Sequence, residues 1–138
     1  MSKKILTLFL FFQVLVAAAT AQSLTGAELA GKWTVTEVRS SVEHLPENEL
    51  VTLELMKKHF LQSSFTFNAD NSFSLDIPLE ELKLPHGNWK IDAKTGIIAV
   101  LDPGGDGSRF LEIESKKKEG KILFLIQETP LELEMKKE

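Results

Sequence analysis

The fold class of this chain follows from residues 64–77, SFTFNADNSFSLDI. Apolar side chains occupy alternate positions on both sides of a polar segment, namely Phe65, Phe67, Phe73, Leu75 and Ile77. Alternation with a period of two is typical of a half-buried β-strand, and residues 68–71 are of the types that favour a turn. The stretch therefore predicts a β-hairpin with one apolar face.

The same pattern recurs along the rest of the chain. A first strand is predicted from Gly31, with Trp33, Val35 and Val38 on its apolar side and an irregularity near its end. Further strands are predicted at residues 89–91, 97–101, 110–113, 122–126 and 131–135. About eight short strands at regular spacing favour an all-β barrel or sandwich. We predict an eight-stranded antiparallel up-and-down barrel, which can be filled by side chains or can hold one small ligand.

One segment departs from the strand pattern. Between positions 46 and 61 the apolar residues recur every three or four positions, at Leu50, Leu53, Met56 and Phe60. This spacing is typical of an amphipathic helix, and Pro46 suits the first helical position. We therefore predict one amphipathic helix inserted between strands 1 and 2, with its apolar face buried at one mouth of the barrel.

The first 21 residues have the three parts of a secretory signal. A basic start at Lys3 and Lys4 is followed by an apolar run over residues 5–19 and by small residues at 19 and 21. The alternative is an uncleaved membrane anchor, but the apolar run is shorter than the roughly 20 residues that a span needs. We expect cleavage after Ala21, a single barrel domain over residues 22–138 and a secreted or periplasmic location, with no membrane span after cleavage.

Charge and cysteine content narrow the partners. The chain has 16 basic and 20 acidic residues, and removal of a leader over residues 1–21 leaves 14 basic residues and a net charge of −6. An acidic surface does not favour nucleic acid or anionic lipid, because both attract clustered Lys and Arg. The chain contains no cysteine, so it has neither a lipidation site nor disulfides, and its core must stabilise it.

No motif for catalysis or metal binding is recognisable. The histidines His44, His59 and His86 do not have the spacing of a metal site. Residues 102–108 carry oxygen ligands at alternate positions but lack the acidic residue that completes a calcium loop, so a Gly-rich turn is favoured. The serines lie in no G-x-S-x-G context. We expect a protein that is not an enzyme and has no cofactor and no metal.

The tripeptide Gly31-Lys32-Trp33, at the start of the first strand, resembles the G-x-W motif that opens lipocalins. With a second Gly87-Asn88-Trp89, the chain is similar to small lipocalin-like (calycin-type) proteins exported by Bacteroidetes-type bacteria. The resemblance implies that Trp33 closes one end of the barrel. Two family features are absent: there is no tyrosine for a T-D-Y motif, and no arginine near the last strand, where lipocalins place one against the Trp.

The apolar face of the predicted barrel leads to two hypotheses about function. In the first, the barrel binds a small hydrophobic ligand, and the helix covers its opening. The expected ligand-binding residues are Trp33, Val35, Met56, Phe60, Phe65, Phe67, Phe73, Leu75, Trp89, Ile91, Leu111 and Ile113. In the second, these side chains form a solid core, and the protein is a structural or interaction module with an envelope protein as partner. The candidate surfaces are then the acidic last strand and loops 40–48 and 78–86, the latter with exposed leucines.

Overall fold

The computed structural model describes residues 23–104 and 109–138. Eight antiparallel strands follow one another around a closed barrel, in which each strand pairs with its neighbours in sequence and the eighth pairs with the first. Their bounds are β1 Gly31–Ser40, β2 Ser64–Phe67, β3 Ser72–Asp76, β4 Leu84–Ile91, β5 Ile98–Leu101, β6 Arg109–Lys118, β7 Lys121–Ile126 and β8 Leu131–Lys137. The predicted eight-stranded up-and-down barrel is confirmed. The predicted leader lies outside the described residues, as does part of the loop at 102–108.

The hairpin formed by β2 and β3 shows how the alternating pattern sets the register. Phe65 lies opposite Leu75 and Phe67 opposite Phe73, so all four apolar side chains share the inner face. In the turn between the strands, the Asp70 carboxylate accepts hydrogen bonds from the Ser72 hydroxyl and backbone N–H, at 2.6 and 2.9 Å. These bonds lower the pKa of Asp70.

Strand β1 is irregular, as its sequence predicts. The register with β8 shifts between Val35 and Glu37, which is the signature of a β-bulge. The extra residue brings Val38 to the inner face, where it is buried with Val35.

The acidic last strand has no free edge, because β8 is paired with both β1 and β7. Its outward carboxylates form ion pairs with basic side chains on the outside of the barrel wall. The Arg39 guanidinium lies 3.3 Å from the Glu132 carboxylate, and Lys121 lies 3.3 Å from that of Glu134. The first pair joins β1 to β8 across the seam at which the barrel closes, and the second joins β7 to β8.

One end of the barrel is covered by a four-residue helix, α1 (Gly26–Leu29), that the sequence pattern did not predict. Thr25 and Glu28 form a capping box at its N-terminus, and the Trp33 indole N–H donates to the Leu29 carbonyl at 2.8 Å. Lys117 forms an ion pair with Glu28. The hydrogen bond from Lys117, with that from the Thr25 backbone, lowers the pKa of Glu28 to about 2. We call this end of the barrel the α1 end.

The predicted helix between strands 1 and 2 is also present, as α2 (Glu47–Phe60), and it lies at the opposite end, the α2 end. Pro46 is its N-cap residue rather than its first helical residue. Leu53 and Phe60 are buried, but Leu50 is 43% exposed, so its predicted place on the buried stripe was wrong. The six residues from Leu50 to Met56 turn the helix by about 600°, which falls short of two full turns, about 720°. Leu50 therefore lies on a different face of α2 from Met56.

The segment before β4 also differs from the prediction of exposed leucines. Residues Glu80–Leu82 form a short 3-10 helix, and β4 begins directly afterwards at Leu84. Leu84 is buried, and Leu79 and Leu82 are half-buried against the core. The leucines therefore belong to the rim of the barrel at the α2 end.

Candidate functional site

Aromatic rings fill the barrel interior towards the α1 end. The Phe67 ring lies 5.0 Å from that of Phe73, 5.6 Å from Trp89 and 6.0 Å from Phe124, all edge to face. Phe124 also lies 5.5 Å from Trp33, and Phe65 lies 6.0 Å from Phe124. These separations are those of aromatic pairs in contact, so side chains occupy the space at this level of the barrel.

A cleft of about 390 Å³ opens at the other end, between the inner face of α2 and the rim of the barrel. Its walls are mainly apolar. The lining residues are Glu49, Thr52, Leu53, Met56, Phe60, Leu82, Leu111, Ile126, Glu128, Thr129, Pro130 and Leu131. Its volume falls within the range typical of small-molecule sites, about 300–1,000 Å³.

Helix α2 is held against the barrel by Leu53, at mid-helix, and by Phe60, at its C-terminal end, and both side chains are buried. There the Phe60 ring stacks on Phe65, with centroids 6.4 Å apart, and the Ser63 hydroxyl donates to the Phe60 carbonyl at 2.7 Å. At the N-terminal end, Pro46 provides no side-chain cap. The first turn of α2 is also exposed. The first turn is therefore the part of α2 that the barrel holds least.

The opposite wall of the cleft is the turn between β7 and β8, and hydrogen bonds hold its backbone in place. The Thr129 hydroxyl donates to the Ile126 carbonyl at 2.8 Å and accepts from the Leu131 N–H at 3.1 Å. The Pro130 carbonyl accepts from the Ser41 N–H at 2.8 Å. The cleft therefore lies between a hydrogen-bonded turn and a helix that is buried at Leu53 and Phe60 and exposed at its first turn.

The charged side chains that line the cleft are both acidic, Glu49 and Glu128. Two basic side chains on the same elements form ion pairs of their own: Arg109 lies 2.7 Å from Glu112, and Lys57 lies 3.4 Å from Glu54. Two carboxylates and two threonine hydroxyls at the edge of an apolar cleft accept hydrogen bonds and attract positive charge. They repel an anionic group.

Three of the twelve predicted ligand-binding residues line the cleft, namely Met56, Phe60 and Leu111. Eight others are buried in the barrel core below it, namely Trp33, Val35, Phe65, Phe67, Phe73, Leu75, Trp89 and Ile113. Ile91 is half-buried at the α1 end, where it packs against the core. The structure thus brings the predicted set into one apolar cluster, of which only the part next to α2 faces a cleft.

Several lining residues were not predicted from the sequence. Leu82 lies in a leucine-containing segment that matched neither a strand nor a helix pattern. Its apolar side chain was the only indication in the sequence that it could line a cleft. Thr129 and Pro130 belong to a turn, and turn residues carry no periodicity that indicates which cavity they face. Leu131 lies on the predicted apolar face of the last strand, and its position at the start of that strand places it at the rim.

Residues 23–104 and 109–138 contain no cluster of three or more His, Cys, Asp or Glu side chains arranged to hold a metal ion. Of the three histidines, His44 and His86 are exposed and His59 is half-buried at the end of α2. Within the same residues, no helix combines the length and the apolar character that crossing a membrane requires.

The fold and the cleft define a class of protein: a closed eight-stranded antiparallel barrel with a short helix at one end and a longer helix over a cleft at the other. No protein-family model, curated protein or solved structure matches this chain. The function must therefore be inferred from the geometry of the cleft.

Proposed function

We propose that this chain is an exported, non-enzymatic, lipocalin-like protein that binds a small hydrophobic ligand in the cleft beneath α2. The observation that carries the proposal is the cleft itself, about 390 Å³ in volume and lined mainly by apolar side chains. Because rings fill the interior below, the ligand lies at the mouth of the barrel and not along its axis. The cleft volume suits a ligand near the small end of the usual range.

Two features of the α1 end support the lipocalin-like class. Lys137 of β8 places its ammonium 5.7 Å from the centre of the Trp33 ring, so a cation from the last strand lies against the Trp although no arginine is present there. Gly31 has a φ of 138°, and a Cβ at this position would lie 2.6 Å from the Lys137 side chain. Glycine at the first position of the G-x-W motif thus lets Lys137 reach Trp33.

The acidic edge of the cleft defines the polar end of the ligand. Glu49 and Glu128 favour a hydroxyl, an amine or another donor group and disfavour a carboxylate. The ligand class is therefore an apolar molecule with a neutral or cationic head. For chains of equal length, an alkylamine or alcohol should bind about ten-fold more tightly than a fatty acid.

Binding is tested by displacement of a neutral fluorescent probe such as Nile red. Met56→Trp adds a bulky ring inside the cleft and should weaken probe binding by roughly ten-fold or more. Asn48→Trp places the same side chain on the exposed side of α2 and should leave binding unchanged. Equal binding by the two variants, or no binding by the parent protein, would refute the proposal. Native mass spectrometry of protein from its own envelope, followed by lipid extraction, would identify a natural ligand as an apolar adduct.

The export signal is part of the same proposal. Residues 1–21 direct the chain out of the cytoplasm and are cleaved after Ala21, which yields a processed protein that starts at Gln22 and is secreted or periplasmic. The intact mass of the protein recovered from the envelope or the medium tests this cleavage site. A mass that includes residues 1–21 would contradict it.

The alternative function is a solid-core barrel that acts as a structural or interaction module, with an envelope protein as partner. The filled aromatic interior favours it, because a packed core needs no ligand. If no apolar adduct and no probe binding are found, the search moves to surface partners. The decisive measurement is then co-purification from envelope extract that is lost when the exposed side of α2 is changed.

A further inference from the structure

The basic side chains of the described residues are concentrated at the α1 end of the barrel. Nine of the 14 basic residues in the described part of the chain lie at the ends of the strands there, or in the turns that join them. They are Lys32, Lys90, Lys94, Lys116, Lys117, Lys118, Lys121, Lys136 and Lys137. Five acidic residues lie at the same end, so its formal charge is +4; they are Glu28, Asp70, Asp92, Glu119 and Glu138.

The α2 end has the opposite charge. Within the described ranges it carries five basic and eleven acidic residues, which gives a formal charge of −6. The basic ones are Arg39, Lys57, Lys58, Lys83 and Arg109, and the acidic ones are Glu43, Glu47, Glu49, Glu54, Asp76, Glu80, Glu81, Asp102, Glu112, Glu128 and Glu132. Glu37, Glu114 and Glu134 lie between the two ends. The barrel is therefore divided into a basic end and an acidic end.

A row of three lysines crosses the outer wall at the α1 end. Lys118 of β6 lies directly opposite Lys121 of β7. The pairing of Ile122 with Met135 places Lys121 next to Lys136 of β8. Adjacent strands are about 4.8 Å apart, and like charges directly opposite one another destabilise a sheet. A negative charge bound beside the row relieves this repulsion.

Two lysines of this row, Lys118 and Lys136, have no ion-pair partner within residues 23–104 and 109–138. Lys121 lies 3.3 Å from the Glu134 carboxylate. All three lysines are exposed, and a shallow groove of about 430 Å³ lies beside the row, with Lys121 and Lys136 among its lining residues. The row therefore presents positive charge that an external anion can reach.

We propose that the α1 end docks on a bilayer surface that contains anionic phospholipids, with the row of lysines against their phosphate groups. Two observations favour a lipid surface over a protein partner. The lysines are spread over the ends of β1, β4, β6, β7 and β8, so an extended polyanionic surface can meet several of them at once. Protein–protein interfaces have an apolar centre, but the exposed large apolar side chains of the described residues all lie within positions 42–61, at the α2 end.

The acidic α2 end does not prevent this docking. Strand β1 has ten residues and is roughly 33 Å long, so at a usual barrel tilt of about 40° the two ends are about 25 Å apart. This distance is about three times the Debye length at physiological ionic strength, about 8 Å. The argument against anionic lipid from the net charge therefore does not apply to the α1 end. The cleft opens at the other end, so the proposal does not depend on the proposed ligand.

Co-sedimentation with vesicles of equal parts phosphatidylglycerol and phosphatidylcholine tests the proposal. One lysine near an anionic surface strengthens binding about five-fold, so a charge of +4 predicts half-binding near 1 mM accessible lipid. About 0.5 M salt should abolish this binding, and vesicles of phosphatidylcholine alone should not bind the protein. Equal binding to the two kinds of vesicle, or binding to neither, would overturn the proposal.

Two double variants separate the effect of the α1 end from that of the net charge. K118Q/K136Q removes two positive charges from the row, and K57Q/K58Q removes two from the end of α2, so both variants have the same net charge. The first should weaken vesicle binding roughly 30-fold, and the second by less than about two-fold. Circular dichroism verifies that both are folded. Equal losses for the two variants, or self-association of the parent protein in place of vesicle binding, would contradict docking through the α1 end.

Discussion

Replacement of Phe67 by alanine should strongly destabilise the barrel, because the Phe67 side chain lies at the centre of the aromatic cluster. It is 0% exposed and contacts the rings of Phe73, Trp89 and Phe124. The neighbouring strands are held by the closed hydrogen-bonded ladder, so they cannot collapse into the space that the ring leaves. The substitution therefore opens a cavity in addition to removing apolar contacts.

The expected loss follows from these contacts. Truncation of a buried phenylalanine to alanine costs about 3–5 kcal/mol in the free energy of unfolding. Three edge-to-face contacts, each of about 0.5–1.5 kcal/mol, place Phe67 near the top of that range, at about 4–5 kcal/mol. A domain of this size has a total stability of about 5–15 kcal/mol, so the variant is close to the limit of folding.

Urea denaturation followed by tryptophan fluorescence measures this loss, since Trp89 lies against Phe67. Phe67→Leu provides a variant that keeps the fold, with an expected loss of about 1–2 kcal/mol. Phe110→Ala, at a half-buried position on β6, is the control and should lose less than Phe67→Ala. A loss below about 2 kcal/mol for Phe67→Ala would show that the barrel interior is not packed as described and would refute the reasoning.

Two further predictions concern the α1 end. The pKa of Glu28 is lowered from 4.5 to about 2, so the Glu28–Lys117 pair stabilises the folded state above pH 4.5, and this stabilisation is lost as the pH falls from 4.5 to about 2. Glu28→Gln should reduce the pH dependence of the free energy of unfolding between pH 4.5 and about 2. Other acid transitions, such as that of Asp70, should remain. Identical pH profiles for the variant and the parent protein would contradict the assignment of this pH dependence to Glu28. Ser115→Ala removes the buried hydroxyl that accepts the Leu24 N–H at 3.0 Å and should cost about 1–3 kcal/mol, because it leaves a buried donor without a partner. Chemical denaturation checks this value, and Ser74→Ala on the outer face of β3 should be nearly neutral.

The barrel could be predicted from the sequence because its signal is local. Alternation at Phe65, Phe67, Phe73 and Leu75 determines which side chains point inward, and a one-residue shift would move all of them to the solvent. The turns between the strands are short and carry recognisable residues. Eight such strands in succession then leave few ways to bury every apolar face.

The helix over one mouth of the barrel was predicted, but most of the residues that line the cleft beneath it could not be, because the cleft depends on contacts between distant segments. Residues from α2, from the 3-10 helix and from the β7–β8 turn meet there. The sequence pattern of each segment does not indicate which other segments it contacts. The same limit applies to α1, which is held by the bond between Trp33 and Leu29 and by the pairing of Glu28 with Lys117. Leu50 was wrongly assigned to the buried side of α2, because residues three positions apart can lie either on one face of a helix or on two adjacent faces.

The pairing of β1 with β8 determines the order in which the barrel can be completed during folding. The Thr34 hydroxyl donates to the Lys136 carbonyl, 102 positions further along the chain. Until β8 has been synthesised and docked, β1 has an unpaired edge on the side where β8 belongs. Closure of so long a loop is a slow, non-local step. An unfinished chain can therefore form hairpins such as β2–β3 early, but it cannot close the barrel. It stays incompletely folded for longer than a protein built from local contacts.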